Sequence, residues 1–307
     1  MKRTRMNVVT SLNENYADMA ESLLLSLRNH YAGEIVVYLL NHSIRDEVLE
    51  EMAAFLKEKC DIELVPIAIG ETIFDDFSIN FPGRFTIEVF YGIIAPYLID
   101  ATVERALWLD ADIIIKEDIG DFYHMDFGGK SLVVCRDECE DHPMEVKKWK
   151  KRLNICDSHI YFNAGVMLMD FQRIRSKFTL EEVITTCNAY KDRILMLNQD
   201  IMNVLFENDV IYVNSKEFNI SPLCYRKDFL EGYEDVKIIH YFATPKPWKL
   251  FIGVDPKLDY WKIQKQRGRL LQYYIAVGIR FLKLDNVFRF CWNKVRKIKR
   301  KIRGKLK

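Results

Sequence analysis

The chain has 307 residues, of which 49% are hydrophobic and 29% charged, so it can bury one or two cores and is neither disordered nor collagen-like. Its formal net charge of +1 conceals an asymmetry between two parts of the chain. Residues 262–307 hold 16 Lys and Arg against one acid, whereas residues 1–261 hold 29 basic and 43 acidic residues. The acidic body and the basic tail therefore need separate explanations.

Targeting signals and cysteine usage narrow the class further. No run of about 18 uncharged apolar residues occurs, so we expect no transmembrane helix. The first residues lack the apolar region of a secretory signal. The seven cysteines are scattered without a CxxC pair, which favours a reducing compartment over a disulfide framework or a zinc site.

Strands and helices are predicted in alternation from the start of the chain. A strand at residues 6–10 leads through a polar loop into a helix whose apolar residues recur at helical spacing: Met19, Leu23, Leu24 and Leu27. A strand at 34–40, a helix at 44–59 and a strand at 62–65 follow, and a helical segment begins after Pro82-Gly83 and runs through Leu98. The later predicted strands are 106–109, 113–115, 131–135, 160–162, 166–169, 210–213 and 236–241. The later predicted helices are 179–190 and 199–206.

This alternation predicts an α/β fold with a mostly parallel central sheet flanked by helices, in a single domain at residues 1–261. In such sheets the ligand binds beyond the carboxyl ends of the strands. The loops after Thr10, Leu109, Phe162 and Ile239 are therefore the places to look for chemistry. Neither a GxGxxG run nor a P-loop is present, because His124 stands where a P-loop would need glycine.

Two carboxylates, Asp110 and Asp112, interrupt an apolar run that reads ALWLDADIII. Burying one unpaired carboxylate costs free energy, and a second one beside it adds repulsion between like charges. A divalent cation such as Mg²⁺ or Mn²⁺ removes both penalties. The alternative is a turn at a strand end with two solvated aspartates.

Several runs together resemble glycosyltransferase family 8. They are ALWLDADIII, YFNAGVMLMD, LNQDIMN and IIHYFATPKPW, in the order the family has them, and the resemblance spans residues 7–250. The resemblance implies a GT-A fold and a retaining, metal-dependent transfer of a sugar from a UDP-sugar donor, with galactose or glucose as the leading sugars.

The resemblance implies a metal site and a diphosphate site. Asp110, Asp112 and His240 match the metal ligands of the family, with Mn²⁺ preferred over Mg²⁺ because an imidazole nitrogen joins the oxygen ligands. Lys246 matches the lysine that neutralises the diphosphate, and Ala243 stands where a small residue, often glycine, lets the backbone approach. The alternatives are a structural histidine at a strand end and a solvated surface lysine.

The first loop resembles the uridine-binding segment of the family. Ser11 and Asn13 would contact the base or ribose, and Tyr16 would stack on the uracil. The alternative, which is compatible with this role, is that Asn13 or Asn15 caps the next helix.

Two further segments match the positions that contact the donor sugar. They contain Asp137, Asn163, Ala164 and Gly165 in the middle of the chain, and Asn198, Gln199 and Asp200 at the start of a predicted helix. Gln199 would lie beneath the anomeric carbon, with Asn163, Asn198 and Asp200 as the other catalytic candidates. A plain turn at Gly165 and a helix cap at Asn198 are the alternatives.

The sequence departs from the family pattern at two of its positions. Gly92 stands where the family carries an arginine that holds the donor, and Arg84 is a candidate to replace it. Asn198 stands where many members have aspartate. These departures leave open a catalytically lapsed protein that only binds nucleotide-sugar. A sugar nucleotidyltransferase is a third reading, but its Gly-rich N-terminal loop is absent.

The implied mechanism follows from the amide at Gln199. A double displacement needs a carboxylate nucleophile, and an amide is a poor one. We therefore expect the acceptor hydroxyl to attack from the face of the leaving group, with retention of configuration.

The tail at 262–307 carries aromatic residues among its basic ones and predicts an amphipathic helix on an anionic membrane surface. Nucleic-acid binding and a solvated tail are the alternatives; we expect no nucleic acid. A membrane-docked transferase would use a saccharide or lipid-linked saccharide acceptor, as in lipopolysaccharide synthesis. We therefore expect a cytoplasmic protein that associates peripherally with the inner face of the membrane.

Overall fold

The computed structural model describes residues 4–74, 86–221, 235–242, 246–248 and 256–272. In these residues the strands are β1 (Arg5–Ser11), β2 (Glu34–Asn41), β3 (Ile62–Ala68), β4 (Arg105–Leu109), β5 (Ile113–Ile115), β6 (Leu132–Arg136), β7 (Phe162–Asp170), β8 (Val210–Val213) and β9 (Ile238–His240). The helices are α1 (Ala17–His30), α2 (Asp46–Cys60), α3 (Tyr91–Leu98), α4 (Gly120–Tyr123), α5 (Pro143–Leu153), α6 (Phe171–Lys177), α7 (Leu180–Tyr190), α8 (Asn198–Leu205), α9 (Ser215–Phe218) and α10 (Pro256–Gln266). Arg84, Ala243 and most of the predicted tail lie outside the described residues.

The central sheet has seven strands in the order β3-β2-β1-β4-β7-β6-β8. All neighbours pair in parallel except β7, which runs antiparallel to both β4 and β6. The inner strands are buried along their length, as expected for a sheet covered by helices on both faces. The predicted α/β fold with a mostly parallel sheet is confirmed.

A second sheet has two strands, β5 and β9, which pair antiparallel. Ile113 lies opposite His240 in this pairing. Both strands were predicted from their apolar runs, but their partners were not, because pairing across such a distance leaves no local pattern. This small sheet brings His240, the last residue of β9, close to the turn that follows β4.

The predicted helices at 44–59 and 179–190 are confirmed by α2 and α7, and their ends follow local chemistry. α2 ends at Asp61, which takes a left-handed conformation (φ 48°) that aspartate tolerates better than most side chains. α7 starts at a capping box in which the Thr179 hydroxyl accepts from the backbone of Glu182 while the Glu182 carboxylate accepts from the backbone of Thr179.

The structure corrects the prediction in two places. β7 runs without a break from Phe162 to Asp170, so residues 160–161 are not in a strand, the predicted strand at 166–169 is part of β7, and the predicted loop after Phe162 does not exist. Asn163, Ala164 and Gly165 lie inside β7, where the register against β6 shifts between Val134 and Cys135. α5 was not predicted, because its Lys-rich sequence buries only Val146, Lys150 and Leu153 and so has a weak apolar period.

The chain divides into two compact units, residues 1–242 and residues 243–307. The second unit contains α10, whose Tyr260 ring lies 5.7 Å from the ring of Trp248. The predicted boundary between residues 261 and 262 falls inside α10. In the part of the chain that the structure describes, no helix has the length and apolar character needed to cross a bilayer.

Candidate active site

The two aspartates lie in the turn that joins β4 to β5. β4 ends at Leu109, and the Asp110 backbone N–H donates to the Gly165 carbonyl at 2.9 Å, which continues the pairing of β4 with β7. The Asp112 carbonyl accepts from the backbone N–H of Tyr241 at 2.9 Å, next to the pairing of β5 with β9. Strands on both sides therefore fix the backbone of this turn.

His240, at the end of β9, completes a group of three metal-ligating side chains. Its Nε2 lies 3.1 Å from Asp112 Oδ1 and 3.5 Å from Asp110 Oδ2, and the three ligand atoms lie within 4.8 Å of one another. Its Nδ1 lies 2.8 Å from Asn219 Oδ1. Because an amide oxygen only accepts, Nδ1 carries a hydrogen, and in the neutral ring Nε2 presents its lone pair to the aspartates.

The electrostatics of this cluster favour a positive charge. Burial alone would lower the pKa of the His240 imidazole, but the attraction of Asp112 and Asp110 outweighs burial and raises that pKa to about 9. A divalent cation would replace this proton and pair both carboxylates at once. Two carboxylates and one imidazole fit Mn²⁺ or Mg²⁺, and the side chain of Asp110 is 40% exposed, which leaves access for a ligand.

Gly165 is needed because the imidazole of His240 occupies the space beside it. A Cβ at Gly165 would overlap the imidazole ring and lie 2.9 Å from Asp110 Oδ2. The alternative of a plain turn at Gly165 is therefore wrong, since the residue lies in a strand and makes room for two metal-ligating side chains.

Trp108 explains the glycine at position 92. The buried indole lies against Gly92, where a Cβ would come within 2.9 Å of the ring, and its Nε1 donates to Asp110 Oδ1 at 3.0 Å. An arginine side chain at 92 would need the space that this ring fills. The residue at 92 and the orientation of Asp110 are thus linked through one side chain.

A continuous set of hydrogen bonds runs from His240 to Gln199. Asn219 Nδ2 donates to Asn163 Oδ1 at 2.9 Å, and Asn163 Nδ2 donates to Asp137 Oδ2 at 3.1 Å. The same Asp137 oxygen accepts from Gln199 Nε2 at 3.0 Å. Five side chains from five separate segments are thereby held in one buried network.

Both ends of the Gln199 amide are held. Its Nε2 donates to Asp137, and its Oε1 accepts from the backbone N–H of Ala164 at 3.2 Å. Asp137 is buried, and its other oxygen accepts from the backbone N–H of Cys139 at 2.8 Å. The amide is therefore fixed before any substrate arrives.

Asp200 joins this network through Tyr161, whose hydroxyl is hydrogen-bonded to both Asp200 and Gln199. Its carboxylate is fully buried; one oxygen accepts from the Tyr161 hydroxyl at 2.6 Å and the other from Arg152 at 2.9 Å. The second oxygen also accepts from the backbone N–H groups of Leu195 and Met196. These four donors hold the Asp200 carboxylate in place, and its role as a catalytic residue stays a prediction.

The hydrogen bonds from the backbone at 195–196 to Asp200 constrain the backbone at the start of α8. Leu197, between the clamped backbone and the helix, has a φ of 54°, which is strained for a branched side chain. Asn198 is the first helical residue and not the cap, which corrects the capping alternative, and it is half-buried. The strained turn presents Asn198 and Gln199 at the very start of the helix.

The predicted uridine segment lies at the same sheet edge as Asp110, because β1 and β4 are parallel neighbours. The Ser11 hydroxyl donates to the Glu88 carbonyl at 2.6 Å. Asn13 caps the short helix that follows, as the alternative expected, by accepting from the Asn15 backbone, and it also donates to Thr86 Oγ1 at 3.2 Å. Tyr16 is half-buried.

Lys246 belongs to the second unit, where it is buried and its Nζ lies 5.9 Å from the centre of the Trp248 ring. Its predicted role at the diphosphate stays a prediction. Ala243 lies outside the described residues, and so does the prediction made for it.

Local sequence patterns carry no direct sign of several residues that build the site. Asn219 and Tyr161 act through contacts with residues distant in the chain, and Trp108 acts through the nearby Asp110 and the more distant Gly92. The available signal was an asparagine within the apolar segment Phe218-Asn219-Ile220, since a buried amide needs partners.

The sequence profile of glycosyl transferase family 8 matches residues 7–250, most of the chain, and the protein belongs to that family of glycosyltransferases. It is 26% identical over 261 residues to general stress protein A of Bacillus subtilis, which covers 79% of this chain and 87% of that protein. It is also 26% identical over 188 residues to a lipopolysaccharide 1,2-glucosyltransferase of Escherichia coli K12, which covers 57% of this chain and 53% of that protein.

A solved structure of the galactosyltransferase LgtC, in complex with donor and acceptor sugar analogues, has the same fold. The TM-score is 0.72 at 23% sequence identity, and the match covers 86% of this chain and 95% of that one. The predicted GT-A-type fold and the family assignment are confirmed.

Proposed function

We propose that the protein is a retaining hexosyltransferase that moves galactose or glucose from a UDP-sugar to a saccharide hydroxyl. The observation that carries this proposal is the network joining the Asp110, Asp112 and His240 cluster to Gln199. It connects a site suited to a metal-bound diphosphate with an amide held rigid in a buried polar setting, as a transferase of activated sugars requires.

Donor binding uses the sheet edge formed by β1 and β4. Asp110, Asp112 and His240 hold Mn²⁺, with Mg²⁺ as the alternative, and the ion when bound supplies Lewis-acid stabilisation to the departing diphosphate. Ser11, Asn13 and Tyr16 contact the nucleoside, and Lys246 contributes positive charge to the diphosphate. Ala243 would leave room for the backbone there.

Sugar binding uses Asp137, Asn163, Ala164 and Gly165, together with Asn198. Asn163 is held at both ends of its amide by Asn219 and Asp137. This network stays in place when the donor enters, so that little reorganisation is needed during transfer.

The mechanism follows from how the carboxylates near Gln199 are used. Asp137 accepts from Cys139, Asn163 and Gln199, and the carboxylate of Asp200 is enclosed by four donors. Neither carboxylate is placed as a free nucleophile for a double displacement. The acceptor oxygen therefore bonds to the anomeric carbon on the leaving-group side as the bond to UDP breaks, and its proton passes to a phosphate oxygen of the leaving UDP.

The acceptor is a saccharide or a lipid-linked saccharide of the cell envelope, with lipopolysaccharide as the leading case. Support comes from the lipopolysaccharide glucosyltransferase and galactosyltransferase among the relatives. The basic composition of residues 262–307 supports a protein at the cytoplasmic face of an anionic membrane, bound peripherally.

The test measures UDP release from a panel of UDP-sugars, with and without Mn²⁺, in the absence of acceptor. We expect slow hydrolysis of one donor that depends on Mn²⁺ and falls about 10²-fold in Gln199→Ala, because an oriented dipole at the reacting carbon is lost. The Gln199→Ala variant should bind UDP and Mn²⁺ as the wild type does.

Two other results would contradict the proposal. UDP binding without turnover of any donor, even with saccharide acceptors added, would favour the lapsed nucleotide-sugar binding protein. No UDP binding at all would contradict the donor assignment.

A further inference from the structure

Two amide side chains of α8 bind the backbone of β7 beyond the point where β4 stops pairing with it. The pairing of β4 with β7 ends where Leu109 lies opposite Val166, so it stops short of residues 162–164. A buried backbone N–H group without a partner costs free energy, so this edge of β7 needs hydrogen-bond partners from elsewhere. Asn203 and Gln199 of α8 supply them.

Asn203 binds the backbone of Phe162 in the way a neighbouring strand would. Its Oδ1 accepts from the Phe162 N–H and its Nδ2 donates to the Phe162 carbonyl, both at 2.9 Å. The same Nδ2 donates to the carbonyl of Gln199 at 2.9 Å. Because Asn203 is fully buried, these bonds tie the start of α8 to the start of β7 without competition from water.

Gln199 binds the same strand two residues further along, at the N–H of Ala164. Gln199 precedes Asn203 by four residues, so the two side chains share one face of the helix. Phe162 and Ala164 are two residues apart, so their N–H groups point to the same edge of the strand. Four helical residues rise about 6 Å and two strand residues about 6.6 Å, so the two amides match the two N–H groups in spacing. Asn203 therefore fixes where the Gln199 amide lies along β7.

His159 fixes the orientation of the Asn203 amide. The backbone N–H of Asn208 donates to His159 Nδ1 at 3.2 Å, so Nδ1 presents its lone pair and Nε2 carries the hydrogen. Nε2 donates to Asn203 Oδ1 at 2.9 Å. Burial lowers the pKa of the His159 imidazole and so favours this neutral ring. The Asn203 amide thereby makes all four hydrogen bonds of which it is capable.

We infer that Asn203, oriented by His159, is a positioning residue for sugar transfer that holds the Gln199 amide in register with Ala164. The inference rests on the role of Gln199 in the proposed function. Because Asn203 is fully buried, it acts through Gln199 and not by contact with a substrate. A residue that only stabilised the fold would lower activity by the same factor whether or not Gln199 is present, and the experiments use this difference.

The first experiment is a double-mutant cycle on UDP release from the donor, with Asn203→Ala and Gln199→Ala alone and together. Asn203→Ala should lower kcat about tenfold and leave KM nearly unchanged, because the amide is misplaced while the three metal-ligating side chains are untouched. In the Gln199→Ala background the same substitution should lower kcat less than about twofold, since the group that Asn203 positions is absent.

Two further variants bracket this result. His159→Phe removes the donor to Asn203 Oδ1 and should lower kcat about threefold, again only when Gln199 is present. The matched control is Asn7→Ala, the same substitution toward the amino end of β1, where the amide donates to the Arg105 carbonyl at 3.2 Å. It should leave kcat unaltered. Urea unfolding of each variant gives the fraction that is folded under the assay conditions.

The second experiment needs no turnover and measures hydrogen exchange at the Ala164 backbone N–H by nuclear magnetic resonance. This N–H donates to Gln199 Oε1, so its exchange reports directly on the position of the amide. Asn203→Ala should raise the exchange rate at least about tenfold, as Gln199→Ala does, because the hydrogen bond is lost or opens more often. Asn7→Ala should leave it unchanged.

An equal loss of kcat from Asn203→Ala with and without Gln199 would overturn the inference, because Asn203 would then act independently of Gln199. Unchanged exchange at Ala164 in Asn203→Ala would overturn it as well. Raised exchange in a protein that hydrolyses no donor would contradict the proposed transferase but support the positioning of Gln199 by Asn203, so the two failures are distinguishable.

Discussion

The two ends of the polar network differ in how completely they are satisfied. At the Gln199 end, Asp137 and Asp200 accept hydrogen bonds from several donors each, and Asp200 is also paired with Arg152. At the His240 end, two carboxylates converge on one imidazole whose pKa rises to about 9 because they need a positive charge nearby. Protein groups alone satisfy the carboxylates at the Gln199 end, whereas the carboxylates at the His240 end need a cation.

This difference predicts a different role for each end of the polar network. A pre-formed, satisfied network orients a substrate with little rearrangement. A cluster with excess negative charge is suited to a cation, and in the proposed function that cation would bring the diphosphate with it. Substitutions at the cation end should therefore remove function with little effect on folding, and substitutions at the satisfied end should affect folding first.

The largest effect is expected for Asp112→Asn, which removes a charge from the cation end. We expect Mn²⁺ binding to be lost and UDP release to fall at least about 10³-fold, because Lewis-acid stabilisation of the leaving group is worth several kcal/mol. Electron paramagnetic resonance of Mn²⁺ and a UDP-release assay provide the measurements, with the exposed Asp121→Asn as the control. Full wild-type activity in excess EDTA would contradict the metal assignment.

Asp200→Asn tests the satisfied end through stability. The charge that holds Arg152 and the backbone at 195–196 is lost from a fully buried site, and we expect the free energy of unfolding to fall by about 2–3 kcal/mol. Urea unfolding measures this change, and the exposed neighbour Asp192→Asn should leave it unaltered. If Asp200→Asn unfolds as the wild type does but loses turnover, a structural role is wrong and a catalytic one is favoured.

Asn219 is hydrogen-bonded to both His240 and Asn163, so its variants can test the two ends of the network separately. Asn219→Ala removes the acceptor that orients His240, so Mn²⁺ affinity should fall about 10- to 100-fold. Asn219→Asp keeps that acceptor but loses the donor to Asn163. It should therefore retain Mn²⁺ affinity while kcat falls, and equal Mn²⁺ affinities for the two variants would show that Asn219 does not orient the imidazole.

The smallest effect is expected for substitution of Trp108, whose indole N–H donates a hydrogen bond to Asp110. Trp108→Phe removes the indole N–H and should weaken Mn²⁺ binding about threefold, because water can replace that donor at a part-exposed carboxylate. Gly92→Ala should have a similar effect by displacing the ring. Both substitutions act through the contact between Trp108 and Asp110. The double variant should therefore bind Mn²⁺ no more weakly than either single variant. Additive losses of Mn²⁺ affinity would show that the two residues act independently.

The sequence predicted those parts of the molecule whose signal is local. The strands β1, β2 and β4 are continuous apolar runs, and α2 and α7 have clear helical periods, so their positions are confirmed. Asp110 and Asp112 stood out because two acids in a buried run require an explanation. His240 was found through its resemblance to a family position rather than through its own surroundings.

What the sequence could not predict depends on contacts between distant segments. Asn163 and Gly165 were taken for a loop because asparagine and glycine usually end strands, yet within β7 Asn163 bonds to Asp137 and Asn219, and Gly165 faces His240. The resemblance to the family groups Asp200 with Gln199 at the sugar, but it gives no sign that Tyr161, Arg152 and two backbone N–H groups enclose the Asp200 carboxylate.

The pairing of β5 with β9 has a consequence for the order in which the residues of the site are synthesised. Asp112 and His240 are separated by 128 positions, and the last strand of the large sheet, β8, is complete well before His240. At roughly 5–20 residues per second, a ribosome needs on the order of ten seconds to pass from one ligand to the other. A nascent chain can thus hold all seven strands of the large sheet before the third side chain of the Asp110, Asp112 and His240 cluster has been added.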